Sequence, residues 1–294
     1  MKVVFIGCVE FSYTVLRHLL SLNEIEIIGV VTRKKSPVNA DFCSLEPLAT
    51  KAGISCFFTA GNNQSDIAMW LKKLKPDVIY CFGWSYLLNS EIIQIPHIGV
   101  IGYHPAALPE NRGRHPIIWA LALGLSTTAS TFFLMDEGAD SGDILNQKFI
   151  QIEPTDDAAS LYQKITRTAL QQITVLTKDL ASNKYIRIPQ EHSKANYWRK
   201  RNKSDGQIDW RMSAAVIHNL VRALTRPYVG AHCIYNDDEI KIWKTEVLNP
   251  DLPNIEPGKI LKVEGSSIVI KCGGGVLRLL EHEFKTIPAE GCYL

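Results

Sequence analysis

A chain of 294 residues, 46% hydrophobic and 21% charged, carries enough apolar material for a core, and its length suits one domain of about 200 residues plus a smaller partner. Its formal net charge of +2 offers no field for gathering a polyanion such as a nucleic acid. Seven cysteines, at 8, 43, 56, 81, 233, 272 and 292, are scattered without a Cys-x-x-Cys pair, which argues against a disulfide framework or a zinc site. The apolar run after Lys2 is too short for a signal peptide. No apolar run approaches the ~20 residues of a membrane span, so the expected setting is the cytoplasm, without a membrane partner.

In chain order, residues 3–7 form an unbroken apolar run ending in glycine, the pattern of a buried strand, and 11–20 has the pattern of the helix after it. This opening is Rossmann-like, yet it lacks the Gly-x-Gly-x-x-Gly that lets a pyrophosphate approach the backbone. Strands at 25–32, 54–58 and 76–82 alternate with helices at 44–52 and 67–74, separated by a short polar segment at 33–41. Such alternation predicts a doubly wound α/β fold with a mostly parallel sheet. Phe82-Gly83-Trp84-Ser85-Tyr86-Leu87-Leu88 follows the fourth strand, as a Gly turn with aromatics that either pack or bind.

The next stretch organises the chain. Residues 98–101 form another buried strand, which stops at His104-Pro105 because proline cannot donate to a ladder. After a loop with Gly113, a helix starts at Pro116. A strand at 129–135 then runs into an acidic, glycine-bearing loop, Asp136 to Asp143. A histidine and an acidic loop thus stand at the carboxyl ends of two strands, the edge where open α/β sheets bind ligands.

Leu161, Ile165, Ala169, Ile173, Leu176 and Leu180 recur at period 3.6 and mark a helix over about 157–181. The character changes at 188–209, where Pro189 and the basic run Arg199-Lys200-Arg201 fit either a solvated linker or a pair of arginines gripping phosphates. A helix at 213–224 with Ser213 as N-cap follows. Short strands at 231–235, 240–247, 259–263, 267–272 and 276–282 then form a β-rich, OB-like domain, with glycines 273–275 suited to a hairpin. The expected division is 1–188 catalytic, 189–209 linker and 210–294 C-terminal.

His-Pro-x-x-Leu-Pro-x-x-Arg-Gly from His104, Pro-x-x-Trp from Pro116, and Met-Asp-x-Gly-x-Asp-x-Gly-Asp from Met135 resemble the active-site signature of the formyltransferases that use 10-formyltetrahydrofolate. That family includes methionyl-tRNA formyltransferase and the nucleotide-sugar N-formyltransferases. The segments from Ile208-Asp209-Trp210 to Ala231 resemble its C-terminal domain. The resemblance implies His104 and Asp140 as the catalytic pair. It implies Phe82, Gly83, Trp84, Tyr86, Leu87, Arg112, Gly113, Asp136 and Gly138 around the folate. Tyr103, Pro105, Arg199 and Arg201 would face the acceptor, expected to be a nucleotide-linked amino sugar of the kind used in lipopolysaccharide biosynthesis. A homodimer is one option for its assembly. Two alternatives stand beside this reading: a methionyl-tRNA formyltransferase-like enzyme, and a non-catalytic binding protein on the same fold.

Formyl transfer needs an amine to attack a carbonyl, an oxyanion to be held and one proton to leave the amine. A histidine can take that proton or donate to the oxyanion, and Asp140 beside it would stabilise the imidazolium or accept the proton itself. The residues themselves make Asp136, Glu137 and Asp143 turn formers, and no metal site emerges. The family pattern carries an asparagine two residues before the histidine, where this chain has Gly102. Either Asn111, a backbone N–H near Tyr103 or a water replaces the missing amide donor, or the enzyme is slow, or the chain is no enzyme.

Overall fold

An apolar run without polar alternation suits a strand covered on both faces, and it forms β1 (Lys2–Ile6), buried from Val3 onward. The computed structural model describes residues 1–35, 40–59, 61–248, 250 and 252–294. After β1 come α1 (Glu10–Leu19), β2 (Glu26–Thr32), α2 (Glu46–Lys51), β3 (Cys56–Phe58), α3 (Gln64–Leu74), β4 (Val78–Cys81), α4 (Ser90–Ile93), β5 (Gly99–His104) and β6 (Arg112–Gly113). They are followed by α5 (Pro116–Ala122), β7 (Thr127–Leu134), β8 (Ile144–Gln151), α6 (Ala158–Ala181), β9 (Tyr197–Trp198) and α7 (Ala214–Leu224). The last five strands are β10 (Ala231–Tyr235), β11 (Asp238–Leu248), β12 (Ile260–Glu264), β13 (Ser267–Lys271) and β14 (Val276–His282). Of the polar segment 33–41, residues 36–39 lie outside the described residues.

The chain divides into two units. The first holds Met1–Gly113, Thr128–Ile150 and Gln163–Trp198; the second holds Arg114–Thr127, Gln151–Tyr162 and Arg199–Leu294. Among the described residues, a seven-stranded sheet runs in the order β3-β2-β1-β4-β5-β7-β8. Its pairings from β3 to β5 are parallel and β5–β7 is antiparallel. This is the doubly wound, mostly parallel sheet that strand–helix alternation predicted. Alternate residues of its strands face opposite layers. Val4, Ile6, Ile79 and Val100 pack with Ile67, Ala68 and Leu71 of α3 in one core cluster. Phe5, Phe82, Tyr103 and Phe132 make ring contacts with one another, joined by Phe11 of α1.

The second unit carries a five-stranded antiparallel sheet, β10-β11-β14-β13-β12. Of the glycines between β13 and β14, Gly275 has the positive φ of 78° and its carbonyl accepts from the Cys272 N–H at 3.1 Å. No helix among the described residues is long and apolar enough to cross a membrane. Four elements escaped the sequence reading, among them the one-turn helix α4. β8 mixes Ile144, Leu145 and Ile150 with polar positions and shows no clean period, while β6 and β9 are two-residue strands that pair only with each other.

Ser213 is the N-cap of α7, its hydroxyl accepting from the Val216 N–H at 3.3 Å. Ser213→Ala should therefore lower the unfolding free energy by about 1 kcal/mol, measured by urea denaturation; no change would remove the cap from the forces holding α7.

Candidate active site

Proline at 105 ends β5, so His104 is its last residue, on the same side of the strand as Gly102 and Val100. The residue is buried. Nε2 lies 2.7 Å from the Asn111 carbonyl. A carbonyl only accepts, so Nε2 carries the proton and Nδ1 is the nitrogen that faces Asp140, 3.6 Å from its Oδ2. Asp140 adopts φ of 54° and its Oδ2 accepts from the Gly113 N–H at 2.9 Å. Gly113 needs its own φ of 104°, and a Cβ there would meet the Trp198 carbonyl at 2.4 Å. The two proposed catalytic side chains are thus brought together by a strand end and two loops.

Gly102 has a physical partner for its missing side chain. It stands opposite Phe133 in the β5–β7 register, and a Cβ on it would lie 2.6 Å from the Phe133 ring and 2.9 Å from Met135. Phe133, packed with Leu108 and Ile144, fills the position that the family asparagine would need. Asn111 is tied to Asn196: its side-chain oxygen accepts from Asn196 Nδ2 at 3.2 Å and its backbone N–H donates to Asn196 Oδ1 at 2.7 Å.

The other expected residues fall in several places. The Phe82 ring is buried in the aromatic cluster and its carbonyl accepts from Ser12 at 2.6 Å. Gly83 has φ of 66° and starts the turn. Trp84 and Tyr86 are half-buried, with the Arg33 guanidinium 5.0 and 4.6 Å from their ring centres. The indole Nε1 of Trp84 is buried without a hydrogen-bond partner among the described residues. Leu87 is exposed, and its carbonyl accepts from Gln64 at 2.8 Å. Tyr103 points to the opposite face from His104: its ring stacks on Phe11 and its hydroxyl meets Ser130 at 2.9 Å. Burial raises the pKa of this phenol despite that hydrogen bond. The Pro105 carbonyl accepts from Thr128 at 3.2 Å. Asp136 accepts from the Gly138 N–H at 2.9 Å and from Ser141 at 2.5 Å, closing the turn.

Arg112 is 2% exposed, and none of its hydrogen-bond partners among the described residues is a carboxylate. Its guanidinium donates to Gln190 Oε1 through Nη2 at 2.7 Å and Nε at 3.2 Å, and to the Tyr197 hydroxyl at 2.9 Å, with His192 Nδ1 at 3.1 Å. Gln190, Asn196 and Tyr197 were missed as site residues because they sit in a segment whose composition reads as a linker. Their only local signal is a glutamine and an asparagine beside a loop arginine, which has meaning only after folding.

Arg199 and Arg201 belong to the second unit, where their guanidinium carbons lie 5.4 and 4.5 Å from the Trp119 ring centre. Trp119 Nε1 donates to the Arg199 carbonyl at 3.0 Å, and Asp205 pairs with Arg199 through both oxygens. The same cluster holds His115, whose pKa falls from its ordinary 6.5 to about 4 through burial and then the neighbouring Arg114, Arg201 and Lys200. Among the described residues no group of three or more His, Cys, Asp or Glu is placed to hold a metal ion.

A parallel sheet ending in a histidine–aspartate pair, followed by a small antiparallel β unit, defines a class. The family model described as "Formyl transferase" matches residues 1–176, and "Formyl transferase, C-terminal domain" matches 200–292. The chain belongs to the formyltransferase family and is an enzyme of that type. It is 33% identical over 286 residues to the methionyl-tRNA formyltransferase of Caldanaerobacter subterraneus subsp. tengcongensis, covering 96% of this chain and 91% of that one. It is 32% identical over 286 residues to the bifunctional polymyxin resistance protein ArnA of Wigglesworthia glossinidia brevipalpis, covering 97% of this chain and 43% of that protein. The N-formyltransferase from Helicobacter canadensis shares the fold with a TM-score of 0.73 at 17% identity, over 96% of this chain and 99% of that one.

Two outcomes follow from this geometry. Gly102→Asn must displace Phe133 and Met135, so it should cost about 1–3 kcal/mol of stability and bring no gain in turnover; a stable, faster variant would show that the space is open. His115 stays neutral in the folded protein below its ordinary pKa, so its contribution is complete above pH 6.5 and is lost as pH falls toward about 4. Urea titrations over that window should give a shallower pH dependence for His115→Gln than for the natural protein.

Proposed function

We propose that this formyltransferase transfers a formyl group from 10-formyltetrahydrofolate to the amine of a nucleotide-linked amino sugar. The observation that carries the chemistry is the approach of His104 Nδ1 to Asp140 at the carboxyl edge of β5. His104 is anchored through Nε2, and its side chain is 6% exposed against 21% for Asp140, so Asp140 is the member that meets the incoming amine. As the N–C bond forms, the amine's proton would pass to the Asp140 carboxylate, with Nδ1 of His104 as the acceptor beside the protonated carboxyl. The bond from the formyl carbon to the folate nitrogen would then break as that nitrogen takes the proton, releasing tetrahydrofolate and restoring the carboxylate. The bound folate supplies the formyl carbon. Trp84 and Tyr86, at the carboxyl end of β4, would flank its ring, and the unpartnered Trp84 N–H suits a donor for a heterocycle. The Helicobacter canadensis enzyme was solved on complex with folinic acid and dTDP-3-aminofucose.

The acceptor reading rests on charge. The cluster of Arg199, Lys200 and Arg201 about Trp119 is compact enough for a diphosphate. Several cations elsewhere in the second unit are paired: Lys203 and Lys241 with Glu239, Arg226 with Glu281, Arg278 with Glu246. Such pairing works against a long polyanion. The second reading, methionyl-tRNA, is favoured by the 33% identity to an enzyme so named. A division into catalytic 1–188, connecting 189–209 and C-terminal 210–294 portions, cytoplasmic placement and dimer formation stand as parts of the proposal.

Incubation with 10-formyltetrahydrofolate and a panel of amino-sugar nucleotides should add the mass of one formyl group to one of them. Formylation of methionyl-tRNA, with binding that weakens steeply as salt rises, would instead establish the second reading. With the accepted substrate, His104→Asn and Asp140→Asn should each cut kcat by about 10² to 10⁴ with little change in folding. A variant that keeps more than a tenth of the activity removes that residue from the chemistry.

A further inference from the structure

The segment after α6 reads in sequence as a connector, yet Gln190 is 6% exposed and all its side-chain hydrogen-bonding positions are in use. Its Oε1 accepts twice from Arg112, through Nη2 at 2.7 Å and Nε at 3.2 Å. Its Nε2 donates twice, to the carbonyls of Asp140 at 2.9 Å and Gly142 at 2.6 Å. That is the full inventory of a primary amide, two acceptor and two donor sites. A surface glutamine would leave most of them to water.

The two halves of this amide hold two different loops. Arg112 belongs to the loop after β5, whose Asn111 carbonyl fixes the His104 ring and whose Gly113 N–H holds the Asp140 carboxylate. Asp140 and Gly142 belong to the loop after β7. Asp140 sits in the left-handed region, φ 54°, which is uncommon for residues other than glycine although aspartate tolerates it better than most. Asn196 adds a second tie from the same segment, with its side chain on Asn111 and its carbonyl accepting from the Arg112 N–H at 3.0 Å.

We propose that Gln190 is a positioning residue for formyl transfer: its amide locks the Asp140 loop to the Arg112 loop and so sets the approach of Asp140 to His104 Nδ1. The proposal rests on the reading of His104 and Asp140 given above. Gln190 touches neither reacting group; it acts through the backbone of Asp140. Buried Arg112 needs an acceptor and the Asp140 loop needs a donor, and only a side chain with both can serve. Glutamate therefore separates the roles.

Gln190→Glu keeps, and strengthens, the acceptor toward Arg112 but has no N–H for the carbonyls of Asp140 and Gly142. Expected is a fall in kcat of about tenfold or more, since a small misplacement of a catalytic group is costly, with KM for both substrates within about twofold. The thermal midpoint should hold or rise, and the pH profile of kcat should change shape instead of merely scaling. A kcat within twofold of the natural enzyme, or a loss confined to KM, overturns the proposal. If the Glu variant does not fold, Arg112→Met is compared with Arg112→Met/Gln190→Met, which removes the buried charge together with its acceptor. The clamp requires a further loss of about tenfold in kcat in the double variant, and equal kcat values refute it. Asp140→Asn is assayed in parallel. An active Asp140→Asn refutes the catalytic reading and the clamp with it; an inactive Asp140→Asn beside a fully active Gln190→Glu refutes the clamp alone.

Discussion

A guanidinium removed from water must find acceptors for its N–H groups, and at Arg112 the rest of the site is arranged around that requirement. An uncompensated buried charge costs on the order of several kcal/mol. Here the compensation comes from Gln190, His192 and Tyr197, all from a stretch some eighty residues away in sequence. Satisfying Arg112 therefore draws the segment 190–197 against the loop that follows β5, and the parallel pairing of Arg112 with Tyr197 and Gly113 with Trp198 completes the junction. Neutral acceptors leave the charge hydrogen-bonded without a carboxylate. The Asp140 carboxylate takes the Gly113 N–H and faces His104. Had the arginine taken Asp140 as its counter-ion, the histidine would have lost its partner.

The exchange at position 102 follows the same logic of occupied space. β5 and β7 run antiparallel, which sets Gly102 directly opposite Phe133 and makes the two side chains compete for one volume. A glycine is what a large ring at 133 permits, and a ring at 133 is what a glycine leaves room for. The donor that an asparagine would bring to the carbonyl is thereby traded for apolar packing next to His104. In a site with fewer competing donors, the geometry of the His104–Asp140 pair matters more, which makes the rigid mounting of both loops intelligible.

Much of the fold was legible because it rests on local signals. The unbroken apolar runs of β1, β2 and β4, the proline that ends β5 and the 3.6 period of α6 each dictate an element by themselves. β8 was not legible, since a strand whose exposed Phe149 and Lys148 follow half-buried Asn146 and Gln147 carries no period. In the site, His104 and Asp140 stand in dense motifs and could be read directly. Tyr103 could not be placed from its motif alone: neighbouring strand residues face opposite ways, and the one beside His104 goes to the other layer. Gln190 and Asn196 were invisible because their roles are made by pairings across 78 and 85 residues. Phe133 was invisible as the partner of Gly102 for the same reason, since only the strand register brings the two face to face.

The electrostatics of the second unit give the acceptor reading its physical basis. Arg199, Lys200, Arg201 and Arg114 gather near His115, with Asp205 as the acidic partner. His115 is kept neutral, first by burial and then by its cationic neighbours, and the pKa of Arg201 is lowered by burial and by Arg199 against the pull of Asp205. A phosphate placed there could draw on two guanidinium groups gathered at one ring, whereas Lys262 is already paired with Glu264. Trp119 adds a flat face already flanked by two guanidinium groups, a surface that accepts planar and charged groups together. A diphosphate carries concentrated charge and spans few residues, which matches a compact cluster better than an extended basic face would. The proposed nucleotide-linked substrate would need only this local charge density, not a protein that is basic as a whole.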